Sequence, residues 1–455
     1  MASAAKVVAA GAIVAASLAA FATTTGSASC PLVDVDVRTV PADVCEPAGT
    51  NNDVRFFDAY SWQAFLAVVR AASATRGEPD PRSPVGRIDK PLVFETYKAD
   101  WEVFANRRSP TPPPPPIEWD KRPAVTPCGT HSIGTDLVIS SFGELEELAQ
   151  AGHAPADVQG PIATQNGQYV RYAMSYNRVL FDAIVKGQLY LASNLNGVVL
   201  PEGSVAIKSA WMILTPGVKS PERYYRRWAW VRDIATPGKC VRKQVALIAL
   251  HVIQKTPKRP QWVWATFEHV SNVHPGGIAP HALHDGNPAN PMPRKNPLPL
   301  NPLEPAPKPF NITRQRGIHS KTEEANAAYA KALTARGAVW GRYRLIMTQW
   351  PRSIGQPKEP GTPAFTIPGI FGTTGTSYSN PAIETFFQTP ITNGCMSCHD
   401  LTRPDTDFLW SLRVRAWMNP RDAIDLDRRN LRFKQLQDLL NFGLANRDRD
   451  SQRQE

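Results

Sequence analysis

The chain has 455 residues, of which 42% are hydrophobic and 20% are charged, and its formal net charge is +11. This composition is that of a folded soluble protein, and the length excludes a small electron carrier built on one compact domain. The positive charge favours acidic partners, but no basic helix or block of Lys and Arg has the form of a nucleic-acid site.

The N-terminus has the pattern of an export signal. Lys6 supplies a positive charge, residues 7–22 are almost wholly apolar, and the small residues 26–28 suit cleavage. Two alternatives stay open: Cys30 could carry a lipid, or the apolar stretch could remain as an anchor, although it is shorter than the roughly 20 residues that span a bilayer. Each alternative places the body of the protein outside the cytoplasmic membrane, and no later segment is long and apolar enough to cross one.

Hydrophobic periodicity predicts helices near both ends of the chain and strands between them. Residues 54–71 have apolar side chains at helical spacing, a capping box at residues 320–323 opens a helix that reaches residue 335, and a last helix is expected at residues 427–444. The strand-like runs are separated by turns too short for helices, which predicts an antiparallel sheet. These runs are residues 188–192, 204–214, 224–231, 245–253, 261–270 and 343–347.

The motif that carries chemistry is Cys395-Met396-Ser397-Cys398-His399. Two thiols that add to the two vinyl groups of haem must stand a fixed short distance apart, and the histidine that follows can bind iron through Nε2. A structural zinc site would need further ligands nearby, and a thioredoxin-like pair would need a βαβ setting, neither of which the sequence provides. The motif therefore predicts one covalent haem c on Cys395, Cys398 and His399, with His399 as an iron ligand.

The second axial ligand of the iron is not fixed by the motif. Met418, Met347 and His269 are the candidates, with His251 as a further histidine upstream. Either methionine can equally be a core residue, and His251 shares its strand face with apolar residues, as a hydrogen-bonded core histidine would. His269 ends a strand and enters a loop, which makes it the more promising histidine.

Three more histidines, His274, His281 and His284, could suggest a second metal, but they fall in a proline-rich stretch that favours a solvated loop. Four cysteines also lie outside the motif, and in an oxidising compartment they allow three disulfide connectivities. We prefer the pairing that joins the two cysteines closest in sequence. The preferred pairs are Cys30 with Cys45 and Cys128 with Cys240.

Short motifs accompany the haem motif along most of the chain. They are residues 60–65 (Tyr-Ser-Trp-Gln-Ala-Phe), 255–257 (Lys-Thr-Pro), 261–269 (Gln-Trp-Val-Trp-Ala-Thr-Phe-Glu-His), 348–351 (Thr-Gln-Trp-Pro) and 384–388 (Glu-Thr-Phe-Phe-Gln). With these motifs the chain resembles the large bacterial monohaem cytochrome c family proteins. The resemblance implies a periplasmic haem protein, of a family whose physiological role is poorly defined.

The expected fold is α+β, with a central antiparallel sheet flanked by helices and a mostly helical and loop C-terminal segment that carries the haem. Three parts are expected: a signal peptide at residues 1–28, an α+β body with proline-rich loops at residues 29–340, and a haem-binding segment at residues 341–455.

The expected function is electron transfer in the periplasm with an acidic redox partner, without nucleic acid. Two alternatives stay open. One is a haem enzyme of peroxidase or oxygenase type, with an open distal site and His269 as its acid–base residue. The other is a haem-based sensor.

Overall fold

A computed structural model of the chain describes residues 30–50, 53–105, 109–130, 134–140, 162–233, 236, 239–287, 311–350, 379–385, 388, 395, 399 and 402–419. The expected signal peptide at residues 1–28, the haem-motif residue Cys398 and the expected helix at residues 427–444 lie outside the described residues.

The described residues form six α-helices and eight β-strands. The helices are α1 Val54–Val68, α2 Asp100–Val103, α3 Arg178–Lys186, α4 Ser320–Thr334, α5 Arg403–Thr406 and α6 Trp410–Arg415. The strands are β1 Lys98–Ala99, β2 Leu137–Ile139, β3 Arg171–Tyr176, β4 Val205–Ile213, β5 Arg226–Arg232, β6 Cys240–Gln254, β7 Val263–His269 and β8 Tyr343–Gln349.

All eight strands belong to one curled sheet, in which the long strand β6 is central. Strand β4 pairs with residues 245–254 of β6 along one edge, while β5 pairs with residues 240–246 and β7 with residues 249–254 along the other edge. Strand β3 extends the sheet beyond β4, and β8 extends it beyond β7. This arrangement gives β6 neighbours on both edges over most of its length.

The sheet is mixed, which corrects the expected antiparallel sheet. Strand β2 pairs with β5 in parallel, through Leu137 and Ala229, whereas the other strand pairs of the described sheet are antiparallel. Two strands far apart in sequence are not joined by a tight turn, so nothing forces them to run in opposite directions. The coarser expectation, an α+β fold with helices against a central sheet, is confirmed.

One face of the sheet is covered by α1 and α4. Phe267 of β7 stacks on Phe65 of α1, with ring centroids 4.3 Å apart, and meets the edge of Trp62 at 5.0 Å. Trp62 in turn stacks on Tyr329 of α4 at 4.7 Å. These side chains are fully buried, so the apolar stripe seen in the sequence of residues 54–71 is the contact between α1 and the sheet.

The opposite face is covered in part by loops that follow β8. Ala382 and Ile383 are completely buried there, in a cluster with Tyr172, Met212 and Ile248. Between Val245 and Ile253 the sequence of β6 is almost continuously apolar, without the alternation of apolar and polar residues seen in strands with one exposed face. This pattern fits a strand that is covered on both faces.

One predicted strand is wrong. Residues 188–192 follow α3 directly, and Gln188 has a positive φ of 49° that ends the helix in a turn. The Leu189 amide then donates to the Ile184 carbonyl at 2.8 Å, and the two buried side chains Leu189 and Tyr190 belong to an irregular segment. The strand of this region is instead β3, which was not among the predicted strands.

The preferred disulfides are confirmed: Cys30 is bonded to Cys45, and Cys128 to Cys240. Among the helices of the described residues, none has the length and continuous apolar character that a membrane crossing requires.

Candidate haem site

A row of polar side chains crosses the sheet on the face opposite α1. Lys208 of β4 is the register partner of His251 of β6, and His251 is the partner of Thr266 of β7. Trp264 lies two residues before Thr266 and therefore points to the same side. All four side chains are buried. We call this region, Lys208, His251, Trp264 and Thr266, the site face.

The loop at residues 379–385 is fixed to the site face by specific hydrogen bonds. The Asn380 side-chain amide donates to Thr266 Oγ1 at 2.9 Å and to the Phe267 carbonyl at 3.0 Å. The Tyr172 hydroxyl donates to the Ala382 carbonyl at 2.7 Å. These contacts bring Glu384 over the sheet, with its Oε1 3.3 Å from His251 Nε2.

Three titratable side chains therefore meet in a nearly dry environment. Burial raises the pKa of Glu384, and the positive charge of Lys208 partly opposes this rise. Burial lowers the pKa of Lys208, and the electrostatic interactions with Glu384 and Cys395 partly oppose this lowering. Burial also lowers the pKa of His251 well below its usual value, and Lys208 and His399 add to this effect, so the His251 imidazole is neutral at pH 7.

His399 of the haem motif packs beside the site face. Its ring centroid is 4.4 Å from that of Trp264, and its Nδ1 is 2.6 Å from the Phe408 carbonyl. Burial lowers the pKa of His399 to about 4, so the ring is neutral. Since a carbonyl can only accept, Nδ1 carries the proton and the lone pair is on Nε2. A backbone carbonyl that holds the other ring nitrogen in this way is the usual support of a metal-binding histidine.

The Phe408 carbonyl is held in place by contacts of its neighbour Asp407. Asp407 forms a buried ion pair with Lys255, and its Oδ2 also accepts from the Leu200 amide at 2.8 Å. Asp407 and Phe408 both have positive φ values, 47° and 74°, which non-glycine residues adopt only when their surroundings hold them there. Lys255, which directly follows β6, therefore helps to orient the Phe408 carbonyl that accepts the hydrogen bond from His399 Nδ1.

The described residues of the motif fit a covalent haem. Cys395 is partly buried and packs against the main hydrophobic cluster, four residues before His399, and Trp264 supplies an apolar wall beside the imidazole. The neutral His399 ring presents the lone pair that an iron ligand needs.

The three candidate second ligands lie in different surroundings. His269 is buried with both ring nitrogens in contact with backbone: Nε2 is 3.0 Å from the Arg223 carbonyl, and Nδ1 accepts from the Ser271 amide at 3.1 Å. Met347 is buried on β8, opposite Thr266 in register, so it lies on the side of Trp264 away from β6. Met418 is partly buried next to Trp417, whose backbone pairs with the segment after α3.

The three histidines of the loop after β7 lie together. The ring centroids of His274, His281 and His284 are 5.4 to 6.1 Å apart. His284 is completely shielded from solvent at its side chain, and its Nδ1 accepts from the Gly286 amide at 2.8 Å. Within the described residues, however, no three His, Cys, Asp or Glu side chains are arranged to hold a metal ion.

Sequence reasoning missed most of the groups around His399. Lys208 interrupts an apolar strand, and Glu384 precedes two phenylalanines, so each is an isolated charge in an apolar context. Such charges are buried only with a partner, and this signal could have drawn attention to them. Their proximity to His251 and His399 depends on strand register and on the loop at residues 379–385, which composition does not reveal.

No protein family, curated protein or solved structure was found to match this chain. The resemblance to monohaem cytochromes therefore depends on the short motifs alone.

Proposed function

We propose that the protein is an exported, periplasmic c-type cytochrome with one haem attached through Cys395 and Cys398, bound at the iron by His399, and that it transfers electrons to or from an acidic partner protein. The observation that carries the proposal is the hydrogen bond from His399 Nδ1 to the Phe408 carbonyl, within a Cys-x-x-Cys-His motif. This bond selects the tautomer in which Nε2 can bind iron.

The chain's own residues have distinct parts in this proposal. Haem, when bound, supplies an iron that changes between the ferric and ferrous states. Lys255 and Asp407 hold the Phe408 carbonyl, and this carbonyl holds His399 in one orientation. Trp264 packs against the imidazole, and an apolar environment is one of the factors that set a haem potential.

Two features support export and the partner. Disulfides persist in oxidising compartments, and two are formed here, Cys30 with Cys45 and Cys128 with Cys240. The formal net charge of +11 favours association with a negatively charged protein, at a rate that falls as ionic strength rises.

The first test is covalent haem attachment in a bacterial host that carries a c-type attachment system. Wild-type protein should retain haem after denaturation and acid–acetone extraction, and its mass should exceed that of the polypeptide by one haem. Cys395→Ser combined with Cys398→Ser should retain none, whereas Ser397→Ala, which changes a residue between the two cysteines, should retain it. A wild-type protein without covalent haem would refute the proposal.

A haem enzyme is the second candidate, and one observation favours it. The buried Lys208 and His251 form, with the partly buried Glu384, an acid–base cluster beside His399, which a simple carrier does not need. An enzyme of this kind would bind cyanide in the ferric state and consume peroxide catalytically. An electron carrier would do neither and would give reversible voltammetry.

A further inference from the structure

The site face contains a histidine that the proposed function leaves unused. His251 Nε2 is buried and has no hydrogen-bond partner among the described residues. Glu384 Oε1, 3.3 Å away, does not form a hydrogen bond with it. A buried polar nitrogen left without a partner destabilises the fold, so its position calls for a ligand.

The haem motif packs close to His251. His251 and Trp264 are diagonal neighbours on β6 and β7, and the His399 ring lies with its centroid 4.4 Å from that of Trp264. His399 also interacts electrostatically with His251 and with Lys208, the partner of His251 on β4. His399 therefore lies beside the site face and within electrostatic range of its polar side chains.

We propose that His251 is the second axial ligand of the haem iron, opposite His399. This assignment rests on the proposed function, because it requires that haem be attached to the motif. It makes the haem a bis-histidine centre, closed to external ligands, as an electron carrier requires.

Two of the other candidates, His269 and Met347, fit less well. Both ring nitrogens of His269 already contact backbone groups, and its ring stacks on Tyr224 at 3.9 Å, so binding iron would require these contacts to break. Met347 is two strand spacings from His251, roughly 10 Å, on the side away from Lys208.

Glu384 has to move when His251 binds iron, since its carboxylate now lies close to Nε2. Its other oxygen accepts from the Asn380 amide at 2.9 Å, and the positive charge of Lys208 on the site face attracts the carboxylate. A turn of the carboxylate toward Lys208 keeps the negative charge compensated while it clears the nitrogen.

The test is spectroscopic and uses full-length holoprotein. Wild-type ferric protein should give a low-spin EPR signal without the red absorption band of methionine ligation, and the ferrous protein should not bind CO. His251→Ala should become high-spin and bind CO, and added imidazole should restore the low-spin signal. His251→Met should stay low-spin and gain the methionine band, which guards against a result that reflects misfolding alone.

The matched controls are His269→Gln and Met347→Leu, both of which should keep the wild-type spectra. A His251→Ala protein that remains low-spin, or a wild-type protein that is high-spin, would overturn the assignment while leaving covalent haem in place. If no variant and no wild type retains haem, the proposed function itself fails and the assignment fails with it. Haem content, measured by the pyridine haemochrome on every sample, separates these two results.

Discussion

Two histidines show what tertiary contacts add to residue type. His269 ends a strand and enters a loop, and both of its ring nitrogens contact backbone groups. His251 has the pattern of a core histidine and is buried, but its Nε2 lacks the hydrogen bond that a core histidine normally makes. Hydrogen-bond partners come from tertiary contacts, so the periodicity of the sequence does not distinguish the two residues in this respect.

A buried carboxylate gives a prediction at the same scale. Asp58 of α1 accepts from the hydroxyls of Thr322 and Thr348, and burial raises its pKa from 3.8 to about 7. The unfolded chain ionises this group near pH 4 and the folded chain only near pH 7, so its contribution to stability is present at low pH and is lost as the pH rises between these values. The loss approaches about 4 kcal/mol.

Asp58→Asn should therefore flatten this part of the stability profile. We expect the free energy of unfolding, measured by urea denaturation from pH 4.5 to pH 8, to fall less with pH in the variant than in the wild type. Asp182→Asn, which removes a negative charge from an exposed side chain, is the control. A variant that loses stability with the same slope as the wild type would contradict the buried ionisation of Asp58.

At the scale of elements, amphipathic spacing was a reliable guide where a helix meets a sheet. Residues 54–71 were predicted from apolar side chains three and four residues apart, and α1 occupies Val54–Val68 with those side chains on the sheet. The run at residues 188–192 has the composition of a strand. Because it directly follows α3, however, it forms the turn and the irregular segment after the helix, with Gln188 at a positive φ. The same apolar residues can be buried by a strand or by an irregular segment, and only their neighbours decide.

The contact between α1 and β7 can be tested at Phe267. Its ring packs on Phe65 and Trp62 and is fully buried, so Phe267→Ala should lower the free energy of unfolding by about 3–5 kcal/mol through lost burial and a cavity. Val199, with 75% of its surface exposed, provides the control. Chemical denaturation should show Val199→Ala within about 0.5 kcal/mol of the wild type. A small effect at Phe267 would mean that the α1 contact contributes little to the core.

At the scale of the molecule, the two disulfides constrain the chain to different degrees. Cys128 and Cys240 are 112 residues apart, whereas Cys30 and Cys45 are 15 apart. A longer loop loses more conformational entropy in the unfolded state when it is closed, about 5 kcal/mol against about 3 kcal/mol. The longer link also ties the loop before β2 to the first residue of β6.

Removing each disulfide separately tests this difference. Cys128→Ala with Cys240→Ala should destabilise the protein by more than Cys30→Ala with Cys45→Ala, in equilibrium unfolding with urea. Treatment with a reductant should reduce the stability of the wild type and of each double variant, but by less in the variants. Equal losses for the two pairs would show that chain entropy does not govern their contribution.

The order of residues by itself indicated the helices α1 and α4, strands β4 to β8 and the preferred partners of the two disulfides. These features depend on local spacing, which the chain carries in its order of residues. The tertiary structure decided the parallel pairing of β2, the end of α3 at Gln188 and the meeting of Lys208, His251 and Glu384 beside His399. The parallel pairing and the meeting beside His399 depend on strand register and on a loop laid over the sheet. They bring together residues far apart in the sequence, such as Leu137 with Ala229 and His251 with Glu384, and no local pattern encodes such contacts.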